Sequence, residues 1–165
     1  MVEERIVENV HKMFNKELIF VFPHMEDKET LIERLGSAAV ERALVLPSFT
    51  KAVIDREKDY PTGLSTEYID LAVPHTDACH VIQQAIIVAK LDDPVTFVAM
   101  GSDDETVAAK YVFLLLLKND GEQVPLLQKL MDMCSDKDAR RRKYSKLFMN
   151  TIAPVDKGGD AFIRR

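Results

Sequence analysis

The sequence predicts an α/β fold, an α+β sandwich in which a mixed β-sheet is flanked by helices. Three observations carry this. Segments with apolar residues at helical spacing interleave with short, compact apolar runs of strand character. The most apolar run, Tyr111–Leu117, falls far short of the about 20 residues that span a bilayer; a continuous apolar run does not separate helix from strand by period, and its bounded core favours a buried strand. Clusters of turn-forming residues separate the segments.

The elements follow in order. Ile6, Val10 and Met13, with Val7 and Phe14 beside them, form one apolar stripe, so a helix is expected over 3–15. Leu18–Phe22 is a strand stopped by Pro23. Asp27 caps a helix that carries Leu31, Ile32, Leu35 and Ala39 inward. Pro47-Ser48 opens a second helix to about Lys58, with Phe49, Val53 and Ile54 as its apolar side. The tripeptide Arg56-Glu57-Lys58 reads as a solvated helix end. Tyr60-Pro61-Thr62-Gly63 is a turn. Strands are expected at 69–73, 84–91 and 95–99, with Asp92-Asp93-Pro94 as a hairpin turn between the last two. The run 107–117 holds the central strand, Val112–Leu117, buried on both faces. Asn119-Asp120-Gly121 then turns the chain into a helix with Leu126, Leu127, Leu130 and Cys134 inward, and a last helix starts near Ser135 or Asp136. One domain is expected over 1–150 and a loose C-terminal tail over 151–165.

Composition narrows the function. The balance of 47% hydrophobic and 30% charged residues is that of an ordinary globular domain. A net charge of -5 argues against general nucleic-acid binding and suits a basic protein partner. By the same token Arg140-Arg141-Arg142-Lys143 reads as a solvated helical face. Two cysteines, Cys79 and Cys134, make no disulfide framework, and no signal-peptide pattern is read at the N-terminus. A reduced, cytoplasmic setting is expected.

The richest segment is Ile69-Asp70-Leu71-Ala72-Val73-Pro74-His75-Thr76-Asp77. A short apolar strand delivers His75 through a proline into a polar corner. Imidazole is neutral and nucleophilic near pH 7, and rigid delivery of one such group suits covalent group transfer. Phosphoryl transfer needs a nucleophile, a cation and several hydrogen-bond donors. His75 supplies the first and Arg56 a planar fork for phosphate oxygens. Thr62 and Thr76 offer hydroxyls, and Glu67 or Asp70 a carboxylate to orient the far ring nitrogen. A competing reading takes His75, Asp77 and His80 as metal ligands of a hydrolase. The residue pattern alone leaves both open, and also leaves a purely structural histidine. His11 and His24 have no companions.

The pair of motifs Arg56-Glu57-x-x-x-Pro61-Thr62-Gly63-Leu64 and Leu71-Ala72-Val73-Pro74-His75 resembles the enzyme IIA components of the phosphoenolpyruvate-dependent sugar phosphotransferase system, fructose–mannitol superfamily. The resemblance covers roughly residues 18–150 and implies that superfamily's mixed sheet flanked by helices. It implies that His75 takes a phosphoryl group from the histidine phosphocarrier protein, by Nε2, and passes it to a cysteine of enzyme IIB. The membrane component IIC then phosphorylates the sugar during transport. Arg56 matches the family's arginine near the active histidine, and Glu67 its supporting carboxylate. No cofactor or metal is implied. The longer stretch from Leu64 to His75, with Ser65–Asp70 as extra residues, is similar to the galactitol-type branch, so galactitol or a related polyol is the expected sugar. A second histidine common in the family is replaced by Gln123, which can donate to phosphate but carries no titrating proton. The same site on the same fold also suits a regulatory module whose phosphorylation state a transporter or transcription factor reads.

Overall fold

The computed structural model of the chain describes residues 12–66 and 69–135. Most of the helix expected over 3–15, the helix after Asp136, the tail, His11, Glu67, the Arg140–Lys143 run and the Cys134 side chain lie outside them. Of that first helix residues 12–15 are described: Lys12 and Met13 are helical, while Phe14 and Asn15 are not, Asn15 being extended and capping the 3-10 turn Lys16–Leu18.

Two long antiparallel strands form the centre. β4 (Ala85–Val98) pairs with β5 (Thr106–Leu116) from Ala85↔Leu116 to Val98↔Thr106. β1 (Ile19–Phe22) adds parallel to β4, and β3 (Asp70–Ala72) adds parallel to β5. β2 (Gly63–Ser65) closes the edge antiparallel to β3, so the strand order is β1-β4-β5-β3-β2. The sheet is mixed, as expected.

Alternate residues of each strand face opposite layers. On one side Phe20, Ile87, Ala89, Phe97, Val112 and Leu114 pack under α1 (Lys28–Glu41) and α2 (Phe49–Asp59). On the other, Ile19, Leu71, Ile86, Val88, Phe113 and Leu115 meet Met13, Phe14 and the Leu126 and Leu130 face of α3 (Gln123–Ser135). Cover on both faces is why 112–117 is apolar without period.

The ends of the helices follow from local chemistry. Asp27 accepts the Thr30 N–H at 2.7 Å and caps α1. α1 and α2 approach closely at Gly36, where a Cβ would lie 2.1 Å from Thr50 Oγ1. At the edge of the sheet, on the α1 side, the guanidinium groups of Arg34 and Arg42 lie over the rings of Phe22 and Phe20 on strand β1.

Three expectations are corrected. Asp92-Asp93-Pro94 is no hairpin turn: β4 runs through it as one strand. Lys90 pairs with Tyr111 and Val95 with Ala109, so residues 91–94 bulge out against Lys110 alone. A bulge tolerates Pro94, since no ladder bond needs the N–H that proline lacks. The true hairpin lies at Ala99–Glu105, where Gly101 takes φ +76° and Ser102 Oγ accepts the N–H groups of Asp104 and Glu105. Strand β2 was not expected, because Pro61-Thr62-Gly63 reads as a turn. It exists because Leu64 and Ser65 pair back onto β3, and Gly63 packs against the end of β4. Glu57, finally, is no solvated helix end but is buried.

A Cβ on Gly63 would stand 2.7 Å from the Val98 carbonyl oxygen. Backbone cannot yield there as a flexible side chain can. Gly63→Ala is therefore expected to destabilise the fold by about 1–3 kcal/mol, read as a lower urea midpoint at unchanged slope.

Candidate functional site

His75 lies just past β3, in a segment gripped from both sides. Pro74 O accepts the Leu115 N–H at 3.1 Å, which carries the parallel pairing on to His75 opposite Leu115. On the other side Thr62 O and Thr62 Oγ1 share the Val73 N–H, each at 3.3 Å. The imidazole is 6% exposed. Its Nδ1 lies 2.8 Å from the Val73 carbonyl oxygen. A carbonyl only accepts, so Nδ1 carries the proton and Nε2 keeps the lone pair. Val73 precedes a proline, so its carbonyl belongs to a tertiary amide. Among the described residues the far nitrogen is thus held by backbone rather than by a carboxylate: Asp70 instead accepts from Ser65 Oγ at 2.7 Å across the β2–β3 hairpin.

Arg56, in the last turn of α2, comes to the same corner. Its Nη1 is 3.8 Å from Asp77 Oδ1, and its guanidinium lies over the Tyr60 ring at 5.1 Å. Its Nε is shut off from solvent and has no acceptor among the described residues. A buried guanidinium N–H without an acceptor costs free energy, and an arriving anion would relieve it. Electrostatics at His75 agree with this placement. Burial pushes its pKa below the ordinary histidine value; the bond to Val73 raises it, Arg56 lowers it and Asp77 raises it, with burial the largest influence.

The remaining expected residues divide. Thr76 is buried beside His75. Thr62 is buried too, but its hydroxyl does not face a phosphate seat: it donates to Glu57 Oε2 at 2.8 Å. Gln123 is half-buried and opens α3 directly after the 3-10 turn at Asp120–Glu122. That turn is joined to the histidine loop, since Asp120 Oδ1 accepts the Ala78 N–H at 2.9 Å.

The metal-ligand reading does not assemble. His80 turns its Nδ1 to Ser48 Oγ at 2.8 Å, Asp77 faces Arg56 and His75 faces Val73. Among the described residues no group of three or more His, Cys, Asp and Glu side chains is placed to hold a metal ion. The physical reason is the 3-10 turn at Ala78–His80, which swings His80 away from His75.

The residue that sequence reading missed is Glu57, 3% exposed. Its Oε1 accepts the Thr62 N–H at 2.9 Å and its Oε2 the Thr62 hydroxyl. A signal existed. Phe49, Val53 and Glu57 stand four residues apart, so the carboxylate lies on the apolar stripe of α2.

Comparison with known proteins supports the fold and the family. The model of the family "Phosphoenolpyruvate-dependent sugar phosphotransferase system, EIIA 2" matches residues 12–145. The galactitol-specific EIIA component of the phosphotransferase system of Escherichia coli strain K12 is 29% identical over 112 residues, 68% of this chain and 74% of that protein. The crystal structure of mannitol IIA from Escherichia coli superposes with a TM-score of 0.63 at 23% identity, covering 85% of this chain and 99% of that one. The Escherichia coli mannitol enzyme IIA in complex with phosphorylated mannitol enzyme IIB gives 0.63 at 22% identity, covering 84% and 93%. At such identities the two structures carry the fold alone. Among the described residues no helix is long and apolar enough to cross a membrane.

With burial the leading influence, the His75 imidazole is expected to titrate below the ordinary value of about 6.5. The sign is that of a group whose neutral form is favoured by the fold. The stability it contributes is full above the unfolded value and is lost as pH falls through the folded one. An imidazole titration by NMR checks this, and a midpoint at or above about 6.5 would contradict it.

Proposed function

The chain belongs to the EIIA 2 family of the phosphoenolpyruvate-dependent sugar phosphotransferase system and is a phosphotransferase component, and from that premise we propose that His75 is its phosphoryl-carrying residue. The observation that supports this most directly is the hydrogen bond from Nδ1 to the Val73 carbonyl, which leaves Nε2 as the nucleophilic nitrogen. In the forward step, the Nε2 lone pair attacks the phosphorus of the phosphohistidine on the histidine phosphocarrier protein. A P–N bond forms at His75 as the donor's P–N bond breaks, and the donor ring recovers its electron pair. Nδ1 keeps its proton throughout, and the Val73 carbonyl stabilises the positive charge that the ring takes on. In the second step a cysteine thiolate of enzyme IIB attacks the same phosphorus and His75 returns to its neutral tautomer.

Arg56 meets the charge on the transferring group. The transition state is loose, so little covalent work falls to the protein and most of the effect is positioning and charge stabilisation. The unsatisfied Nε–H of Arg56 and the fork beyond it are suited to equatorial oxygens. The Tyr60 ring below restricts the guanidinium to one plane. Thr76 and Gln123 are further donors to the phosphoryl oxygens, and Glu67 is a second acceptor for the Nδ1–H beside the Val73 carbonyl. The likeness to the galactitol-specific component supports galactitol or a related polyol as the transported sugar. Enzyme IIB is the acceptor, and the membrane component IIC is reached only through it.

Incubation with phosphoenolpyruvate, enzyme I and the histidine phosphocarrier protein, followed by intact-mass spectrometry, tests the assignment. One acid-labile phosphoryl adduct is expected on wild type and none on His75→Ala. Stoichiometric labelling of His75→Ala would rule it out. Arg56→Ala is expected to keep the fold and to lower the transfer rate by about a hundredfold or more. Labelled wild type that passes nothing to a cognate enzyme IIB would favour the regulatory role on the same site.

A further inference from the structure

The last turn of α2 presents Arg56 and Glu57 as neighbours and sends them in different directions. Consecutive helical residues are about 100° apart around the axis. Glu57 continues the buried stripe of Phe49 and Val53, and that rotation leaves Arg56 facing the histidine corner, beside Asp77. A carboxylate on a buried stripe is an expensive choice. Burial raises its pKa above the ordinary value, opposed by the bonds from Thr62 and the charge of Lys28. An apolar side chain would fill the same stripe but would leave the buried Thr62 N–H and hydroxyl without their acceptor, so the carboxylate is there for what it holds at Thr62.

Its oxygens lead toward the reacting ring. Oε1 accepts the Thr62 N–H at 2.9 Å, and Oε2 accepts the Thr62 hydroxyl at 2.8 Å. The same hydroxyl oxygen and the Thr62 carbonyl accept the Val73 N–H at 3.3 Å. Val73 O in turn accepts from His75 Nδ1 at 2.8 Å. All of Glu57, Thr62 and His75 are buried, so no water competes easily for these bonds.

We infer that Glu57 is a positioning residue for phosphoryl transfer: one buried carboxylate ties the helix end that carries Arg56 to the strand end that carries His75, and keeps the cation and the nucleophile in register. The inference rests on the reading of His75 as phosphoryl acceptor. Glu57 itself touches neither the phosphoryl group nor the imidazole. It acts through Thr62 and Val73 on one side and through the rotation of α2 on the other.

The test uses the full chain with Glu57→Gln, Thr62→Val and the double variant. Glutamine keeps the volume but offers one acceptor oxygen, so it cannot take the Thr62 N–H and hydroxyl on separate oxygens as the carboxylate does; valine keeps the shape of threonine and removes only the hydroxyl link. Two readouts are taken besides thermal melting: the His75 tautomer, by ¹⁵N imidazole NMR on unphosphorylated protein, and steady-state transfer from the phosphorylated histidine phosphocarrier protein. Each single variant is expected to convert a predominantly Nδ1–H imidazole into a tautomer mixture. Each is also expected to lower kcat about 10- to 100-fold while the KM for the carrier changes by less than about twofold. The double variant is expected to be no worse than the poorer single one, since both act through one chain of bonds. Wild-type tautomer and kcat in Glu57→Gln and Thr62→Val, whatever their melting temperatures, would overturn the inference and leave Glu57 a packing residue. If Glu57→Gln does not fold, the conservative Thr62→Val decides by the same readouts. A wild-type protein that takes no phosphoryl group overturns the acceptor reading and this inference with it; a labelled wild type beside unchanged variants overturns the inference alone.

Discussion

The antiparallel pairing of β4 with β5 is the constraint from which the rest of the molecule is built. Its ladder runs from Ala85↔Leu116 to Val98↔Thr106, and its inner residues are buried on both faces. A strand covered on both sides has no polar face to offer water, so the helical layers are required by it. The outer edges of this pair accept β1 and β3 in parallel, and those edges set where β3 ends. His75 stands where it does because Pro74 O, two residues past the end of β3, continues the parallel register along β5.

Around that strand end, backbone groups perform work that side chains often perform elsewhere. The Val73 carbonyl holds the tautomer of His75, and the histidine loop is pinned by Asp120 through the Ala78 N–H. Backbone acceptors are less mobile than carboxylates on long side chains, and an imidazole held by one loses little entropy on reaching a reactive geometry. Burial tunes the ring in the same direction, toward the neutral form, while Arg56 and Asp77 act on it with opposite signs. The corner therefore sets a paired cation and carboxylate near a ring whose neutral form burial favours, which suits the proposed exchange of a phosphoryl group.

The proline–threonine–glycine turn illustrates how one short motif serves several contacts. Thr62 gives its N–H and hydroxyl to Glu57 and its acceptors to Val73. Gly63 lets the chain run so close to the end of β4 that a Cβ there would lie 2.7 Å from the Val98 carbonyl oxygen. The turn thereby joins α2, β3 and the end of β4 within a few residues.

Much of this was legible from residue order alone. Helical spacing over Leu31, Ile32, Leu35 and Ala39 with Asp27 ahead of it marks α1, and the aperiodic run at 112–117 marks β5, because local propensity and two-sided burial leave plain patterns. The motif pair around Arg56 and His75 named the candidate site for the same reason: both halves are contiguous in sequence. What the sequence alone determined about this protein is thus its class of fold and its family resemblance, with His75 and Arg56 as the candidate nucleophile and cation. Only the tertiary structure decided that Asp92–Pro94 bulges instead of turning, that His80 faces Ser48 and that Thr62 serves Glu57. Those outcomes turn on the register between strands and on the partners that distant segments bring to a buried polar atom. A buried donor or acceptor takes whichever partner the fold brings within about 3 Å, and no local pattern of residues encodes which one that is.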